Sequence, residues 1–443
     1  MALISPKGNM FGRSKIMSEF LTNSDYMSSF KLLWTGPNLG LLTVAALFPE
    51  DWECDYIDEN YKSINYDKDY DFVFIGAMTQ QANNAFLIAS AFRNKGTLTV
   101  IGGIHATLMA EEASHYADVV ISGEVEPLWD DFMRDLEKGC LKQIYREEQP
   151  GQYKYDNSPI PRYELLKGYD YPLVTLQTTR GCPHDCSFCA ASKVYGKKYR
   201  RKGNKQILQE LIILSQLYPD ALILFSDDNM FVDRNSSKSL LQDMAPMKIR
   251  WIAQTDISIA ADEELLKRMV VAGCQWIVIG FESTSYESLC NLDQTNWKLK
   301  QLPRYENSIQ TIQSYGIGVY GTFIVGLDYD DEDVFKATAD FIIANNLYGA
   351  NITVPTPLPG TRLRQHMQEE QRIVKKDWSF YTFWDVTIQP KRMSSATLEA
   401  GLFWIYSEIT QQHVVEQRLT QMRKIMKRRR QILNEISGSA ADE

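Results

Sequence analysis

Short apolar runs alternate with amphipathic stretches along the first third of the chain, and this alternation predicts its fold. Strands are expected at 2–5, 54–57, 72–76, 98–101 and 119–121, with helices at 39–48, 82–92 and 129–136. Strands and helices that alternate at this spacing are typical of an α/β fold with a doubly wound parallel sheet. Residues 1–148 are therefore predicted to form a Rossmann-like domain that binds ligands at the carboxyl ends of its strands.

A second α/β unit follows a stretch of turn-forming residues. Residues 149–170 are predicted to be a linker. Their first part, 149–161, is rich in Gly, Pro, Asn, Gln and Tyr and has few aliphatic side chains. Six further strands are predicted at 173–177, 221–225, 249–254, 276–279, 319–325 and 350–354, each followed by polar residues, Gly or Pro. This pattern predicts a TIM-like partial (β/α)6 barrel over 171–360, with its chemistry on the loops that follow the strands. Residues 361–443 are expected to form a helical, aromatic-rich extension.

Composition narrows the class of protein. The chain has 443 residues, 44% of them hydrophobic and 23% charged, and a formal net charge of −9. The negative charge argues against nucleic-acid binding driven by phosphate neutralisation. No run approaches the ~18 apolar residues of a membrane span. The N-terminus lacks the layout of a signal peptide, so a cytoplasmic location is expected.

Three of the seven cysteines form the most informative motif. Cys182, Cys186 and Cys189 have the spacing C-x3-C-x2-C, which can hold three irons of a [4Fe–4S] cluster and leave the fourth open. A zinc site would need a fourth ligand, for which His184 is awkwardly close in sequence. Disulfides are disfavoured by the odd cysteine count and the expected reducing compartment.

This motif, with Phe188 as the aromatic residue before the last cysteine, resembles that of the radical S-adenosylmethionine (radical SAM) enzymes. The resemblance implies that Cys182, Cys186 and Cys189 are catalytic and bind a [4Fe–4S] cluster. SAM would chelate the open iron and be cleaved to methionine and a 5′-deoxyadenosyl radical, which abstracts hydrogen from an unactivated carbon. It also implies an electron donor such as flavodoxin or ferredoxin.

The same resemblance suggests which residues contact SAM. Phe188 would place its backbone near the adenine, and Glu282 in Gly-Phe-Glu-Ser would contact the ribose or methionine part. Asp227 and Asp228 stand where the family binds the SAM amine, and the choice between them stays open. Arg200, from a basic cluster with Lys197, Lys198 and Arg201, is a candidate for the SAM carboxylate, although a solvated basic face is equally compatible.

The N-terminal domain resembles a cobalamin (vitamin B12) binding domain. Its strand ends carry the candidate cofactor-binding residues Gly76, Met78, Thr79, Gly102, Gly103, His105 and Gly123. The Gly-Gly element of the family is present, whereas the histidine of its D-x-H-x-x-G motif is missing. Cobalamin would then bind without that axial histidine, or the domain keeps the fold and has lost the cofactor. The glycines also suit tight βα turns, and His105 also suits a hydrogen-bonded loop position.

Three functions are compatible with these observations. The first is a cobalamin-dependent methyltransferase that acts on an unactivated carbon of a small, apolar or secondary-metabolite substrate. The second is a radical SAM enzyme without methyl transfer, and the third is a non-catalytic Fe–S protein. An aromatic segment around residues 378–384 could close the active site or form a core that caps the barrel.

Overall fold

The computed structural model describes residues 1–8, 12–24, 33 and 35–439. It contains two six-stranded parallel sheets, a short antiparallel ribbon and surrounding helices. The strands are β1 (Ala2–Ser5), β2 (Asp55–Asp58), β3 (Phe72–Gly76), β4 (Leu98–Gly102), β5 (Val119–Ser122), β6 (Ile144–Arg146), β7 (Leu173–Leu176), β8 (Thr179–Arg180), β9 (Arg200–Arg201), β10 (Leu222–Phe225), β11 (Trp251–Thr255), β12 (Cys274–Glu282), β13 (Gly318–Ile324) and β14 (Gly349–Thr353).

The α-helices cover the sheets and form the C-terminal region. They are α1 (Lys15–Asn23), α2 (Leu39–Leu47), α3 (Ala82–Arg93), α4 (Ile104–Leu108), α5 (Ala110–Ala113), α6 (Trp129–Glu137), α7 (Ala191–Val194), α8 (Asn204–Leu217), α9 (Arg234–Met244), α10 (Glu263–Val271), α11 (Tyr286–Leu289), α12 (Trp297–Gln301), α13 (Tyr305–Ser314), α14 (Asp333–Ala344), α15 (Arg362–Glu369), α16 (Ser395–Ile409) and α17 (Gln412–Ser439). Among the described residues, no helix is both long and apolar enough to cross a membrane.

The first sheet has the strand order β2-β1-β3-β4-β5-β6, and all its neighbours are parallel. The order reverses at β1, because β2 lies on one side of it and β3 on the other. Such a reversal opens a crevice at the carboxyl ends of the strands, where doubly wound sheets bind ligands. The predicted fold of this region is confirmed, although β6 was missed because it is three residues long and lies in a polar stretch.

The second sheet has the order β14-β13-β12-β11-β10-β7, so successive long strands lie side by side without a reversal. This is the order of a barrel, and it confirms the fold predicted for this region. β12 is longer than expected, because a register shift between Gly280 and Glu282 lets it continue to the edge of the sheet. Apolar side chains such as Leu224, Ile252 and Tyr320 form a buried cluster on one face of the second sheet.

The segment 377–385, which we call the C-terminal clasp, packs on the first sheet. Trp378 and Tyr381 join the buried cluster between that sheet and α3. The indole N–H of Trp378 donates to the Glu112 carboxylate at 3.0 Å. The Asn83 amide donates to Asp377 at 2.6 Å. Two residues of the aromatic segment thus join the C-terminal region to the first sheet, while Trp384 packs on the barrel through Tyr406, in line with the expected barrel cap.

Replacing Trp378 by alanine should destabilise the protein more than the same change at Trp404. Trp378 is 7% exposed and Trp404 is 40% exposed. Truncation of a buried tryptophan costs about 3–5 kcal/mol, whereas a surface change stays within about 0.5 kcal/mol. Urea unfolding of the two variants measures the difference. Equal stabilities would show that the clasp contributes little to holding the first sheet.

Candidate cofactor site between the two sheets

The three motif cysteines lie on one loop at the carboxyl end of β7. This cysteine loop, residues 181–199, leaves from β8 and returns into β9, which pair as an antiparallel ribbon. The thiols of Cys182, Cys186 and Cys189 are close enough for each to influence the ionisation of another. The structure thus brings together the three residues that the sequence motif singles out.

Polar contacts hold the cysteine loop in place. Asp185 has a φ of +46°, a conformation that non-glycine residues rarely adopt. Its carboxylate accepts from Arg362 at 2.7 Å and pairs with Lys197 at 2.8 Å. The backbone N–H of Ser187 donates to the Leu292 carbonyl at 2.8 Å. The loop conformation is therefore set by α15 and by the segment after β12, which the sequence did not reveal.

The thiols fit an iron–sulfur cluster chemically. Burial raises the pKa of Cys182 to about 11 and the pKa values of Cys186 and Cys189 to about 12. Metal ligands must be thiolates, and a bound cation supplies the charge that stabilises them. Three neighbouring, partly buried thiols without a nearby excess of cations therefore suit a metal cluster. In the described residues, His184 and the cysteines do not bring their ligand atoms within 4.8 Å of one another, as a closed zinc cage would require.

The two candidate aspartates for SAM have different surroundings. Asp227 is fully engaged, because its carboxylate accepts the N–H groups of Thr178 and Thr179 at 2.7 Å and the Thr178 hydroxyl at 2.6 Å. Asp228 lies beside Cys182 and Cys189, and its buried Oδ2 has no partner in the described part of the chain. Burial, with the neighbouring Asp227 charge, raises the pKa of Asp228 to about 6. A positively charged ligand group would stabilise the ionised carboxylate against burial and against the Asp227 charge. Asp228 therefore suits an ammonium group.

Glu282 is close enough to Cys186 and Cys189 for its charge to influence both thiols. It has a φ of +63°, and such strain in a non-glycine residue is most often found at functional sites. Its carboxylate pairs with the buried Lys298 at 2.8 Å, and the Lys298 ammonium also donates to the Gly280 carbonyl at 2.8 Å. Phe188 packs in an apolar cluster with Leu292 and Leu327, at the edge of the loop.

Arg200 is engaged with other residues of the protein. Its guanidinium pairs with Glu124 of the first sheet at 2.6 Å and donates to the carbonyls of Tyr153 and Tyr195. Arg180 pairs with Glu124 at 2.6 Å and with Glu126 at 2.9 Å. We call these four residues the arginine–glutamate network. Sequence reasoning missed it, because its partners are more than 50 residues apart.

A cavity of about 230 Å³ lies at the carboxyl ends of β3, β4 and β5, between the first sheet and the cysteine loop. Gly102 faces it openly, because a Cβ built there meets nothing closer than 3.8 Å. Val194 and Tyr195 of the cysteine loop form the opposite wall. Among the described residues, no histidine lines the cavity. Its lining includes five of the predicted cofactor residues: Gly76, Met78, Gly102, Gly103 and Gly123. A flat cofactor that approaches the backbone suits such a surface.

Thr79 and His105 lie outside the cavity lining. Thr79 begins a short helical turn, and its buried hydroxyl has no partner among the described residues. His105 is 1% exposed, lies 3.5 Å from Glu112 and has its ring centroid 5.1 Å from that of Trp378. The structure therefore places His105 behind the cavity, against the C-terminal clasp. Burial lowers the pKa of His105 to about 4, although Glu112 opposes this shift.

This buried histidine should make the fold sensitive to mild acid. An unfolded histidine titrates near pH 6.5. Between pH 6.5 and 4 the unfolded chain therefore binds a proton that folded His105 does not, and stability falls as the pH falls. The loss reaches about 3 kcal/mol from the size of the shift. Unfolding free energies between pH 5 and 7.5 should be flatter in His105→Gln, whereas exposed His115→Gln should follow the wild type. An unchanged slope in His105→Gln would contradict the assignment.

Comparisons with known proteins agree with this geometry. Residues 176–342 match the family model of the radical SAM superfamily, and residues 31–130 match that of the B12 binding domain. A bacteriochlorophyllide d C-12(1)-methyltransferase of Chlorobaculum tepidum is 29% identical over 389 residues, covering 86% of this chain and 84% of its own. A bacteriochlorophyllide d C-8(2)-methyltransferase of the same organism is 25% identical over 394 residues, covering 84% of each chain.

A solved structure shares the fold. The radical SAM methyltransferase TsrM from Kitasatospora setae superposes with a TM-score of 0.62 at 14% identity, covering 83% of this chain and 76% of its own. With both domain models matched, the chain belongs to the radical SAM enzymes that carry a B12 binding domain. The predicted enzyme class and the predicted cofactors, a [4Fe–4S] cluster, SAM and cobalamin, are thereby confirmed.

Proposed function

We propose that this protein transfers a methyl group to an unactivated side-chain carbon of an apolar, ring-containing substrate. Residues 1–148 would bind cobalamin, 149–170 would link the domains, 171–360 would carry the radical chemistry, and 361–443 would form the C-terminal extension. The observation that carries the proposal is a shared wall. Arg180 lines the glycine-rich cavity and directly precedes the cysteine loop, so the two cofactor sites would adjoin.

The chain's own residues have distinct parts in this proposal. Cys182, Cys186 and Cys189 hold the cluster, and Asp228 accepts the SAM amine through its unpartnered oxygen. Asp227 holds the backbone of Thr178 and Thr179, which lead into the cysteine loop. When bound, the cluster with SAM would supply hydrogen abstraction, and cobalamin would supply the methyl group.

The remaining candidates have supporting parts. Glu282 is held towards the site by Lys298 and would orient the ribose or methionine part of SAM. Gly102 at the end of β4 would let a corrinoid approach the backbone, and no histidine among the described residues lines the cavity. A flavodoxin or ferredoxin would deliver electrons, and the enzyme would act in the cytoplasm.

Chlorophyllide-type tetrapyrroles are the substrates to test first. Two relatives that match more than four fifths of this chain are methyltransferases of bacteriochlorophyllide d. Reconstituted enzyme with cobalamin, reductant, a bacteriochlorophyllide and SAM bearing a CD3 group should yield a product in which CD3 replaces one hydrogen. Mass spectrometry of the pigment detects this exchange.

The outcome separates methyl transfer from its alternative. Label in the pigment, with formation of S-adenosylhomocysteine, supports the proposal. A changed but unlabelled pigment would instead favour a non-methylating radical reaction. An unchanged pigment across chlorophyllide substrates would reject this substrate class, and hopanoid-like and other polycyclic compounds would be the next substrates to test.

A further inference from the structure

The arginine–glutamate network joins the base of the cysteine loop to the wall of the glycine-rich cavity. Arg180 and Arg200 are direct partners across the β8–β9 ribbon, so they stand at the two ends of the loop. The Arg180 guanidinium donates to one oxygen of Glu124 at 2.6 Å, and the Arg200 guanidinium lies 2.6 Å from the other oxygen as an ion pair without hydrogen-bond geometry. One glutamate of the first sheet therefore holds both ends of the loop that carries the cysteines.

The glutamates belong to the turn that closes the cavity. Gly123 lines the cavity and has a φ of +122°, which only glycine adopts readily. Its N–H donates to the Thr107 hydroxyl at 3.1 Å. Glu124 follows directly, and Glu126 adds a second carboxylate 2.9 Å from Arg180. A shift of this turn would therefore move the partners of both arginines.

All four side chains of the arginine–glutamate network are buried. The side chains of Glu124 and Glu126 are 0% and 2% exposed, and those of Arg180 and Arg200 are 9% and 6% exposed. Water cannot replace a lost contact at such burial, so separating one partner leaves an uncompensated charge. The guanidinium plane also fixes the direction of approach. The ring of Tyr155 lies 4.2 Å from the Arg180 guanidinium and restricts it further.

We propose that the arginine–glutamate network couples the two cofactors, so that cobalamin in the cavity and the cluster on the cysteine loop favour each other's binding. This inference rests on the proposed function. The four residues act as positioning residues. A cavity wall ordered by cobalamin holds Glu124 and Glu126, which hold Arg180 and Arg200 and thereby the spacing of the loop ends. Coupling of this kind is reciprocal.

Cobalamin affinity with and without the cluster measures the coupling. Full-length protein, before and after reconstitution with iron and sulfide, is titrated with hydroxocobalamin and followed by the corrinoid absorption. The wild type should bind cobalamin about 5- to 150-fold more tightly when the cluster is present. In Glu124→Gln this ratio should fall towards one, because an uncharged amide holds both arginines weakly. Glu126→Gln should lower the ratio partly.

A matched control exists within the chain. Lys202 and Glu210 form a buried pair at 2.7 Å with side chains 1% and 0% exposed, away from the cavity lining. Glu210→Gln removes the same charge at the same burial and should keep the wild-type ratio. A ratio of one in the wild type, or a wild-type ratio in Glu124→Gln, would overturn the inference.

The coupling and the cavity assignment are overturned by different results. Cobalamin that binds equally well with and without the cluster overturns the coupling and leaves the proposed function intact. Cobalamin that binds in neither state overturns the cavity assignment and the coupling with it. Should Glu124→Gln not fold, Glu126→Gln decides, and an unchanged ratio there counts against the network.

Discussion

Cys186→Ala should abolish formation of 5′-deoxyadenosine while the protein remains folded. The thiol is one of three that converge on the cysteine loop, and burial raises its pKa to about 12, so a thiolate at this position requires a metal to stabilise it. Alanine removes one iron ligand and leaves two, which cannot hold a cluster with a single open iron. Iron and sulfide content and chromatography of the SAM cleavage products measure both losses.

Cys290 provides the matched control for this change. It is partly exposed, like the three loop cysteines, but lies outside their motif. Cys290→Ala should retain iron, sulfide and 5′-deoxyadenosine formation at wild-type levels. Wild-type iron content and activity in Cys186→Ala would refute the assignment of the cluster to this loop.

Asp228→Asn should impair SAM cleavage almost as severely, with the cluster retained. The amide keeps the size of the side chain but removes the charge that would meet the SAM ammonium. Losing one partner of a buried charge pair costs about 3–5 kcal/mol. Since each 1.4 kcal/mol is tenfold, kcat/KM for SAM should fall by about 100- to 4,000-fold. The rate of 5′-deoxyadenosine formation at varied SAM concentrations measures this effect.

Asp227→Asn tests whether Asp228 alone of the two aspartates binds the SAM amine. Its carboxylate accepts three hydrogen bonds from Thr178 and Thr179, so the amide should lower the stability of the fold more than the affinity for SAM. Folded Asp227→Asn that binds SAM as poorly as Asp228→Asn would show that both carboxylates serve the ligand. Wild-type SAM kinetics in Asp228→Asn would exclude it from the site.

The sheets could be predicted because each buried strand is a short apolar run with turn signals at its ends. β3 (Phe72–Gly76) was predicted with its observed bounds, and the bounds of β10 (Leu222–Phe225) differed by one residue. β6 could not be predicted, because an edge strand of three residues in a polar stretch has no periodicity to read. The C-terminal clasp was predicted only in part: Trp384 packs on the barrel through Tyr406, as one expectation had it, whereas Trp378 packs on the first sheet. An apolar pattern shows that Trp378 is buried, but it does not show against which sheet.

The candidate site was predictable to the extent that its chemistry lies in local motifs. The three cysteines lie within eight consecutive residues, and Gly102 and Gly103 lie at the end of one strand. Arg200 and His105 show the limit of such reasoning. Their roles depend on Glu124 and Glu112 and on how distant segments pack, and no local spacing encodes that packing. The choice between Asp227 and Asp228 likewise depends on which carboxylate the neighbouring backbone already occupies.

Formation of 5′-deoxyadenosine by the reconstituted wild-type enzyme tests the central claim most directly. Purified full-length protein is loaded with iron and sulfide under anaerobic conditions, supplied with cobalamin and SAM, and reduced with a strong reductant. Our account predicts 5′-deoxyadenosine well above the level of a control without enzyme, and S-adenosylhomocysteine beside it when substrate is present. An intact [4Fe–4S] cluster that yields no 5′-deoxyadenosine above background would contradict the account.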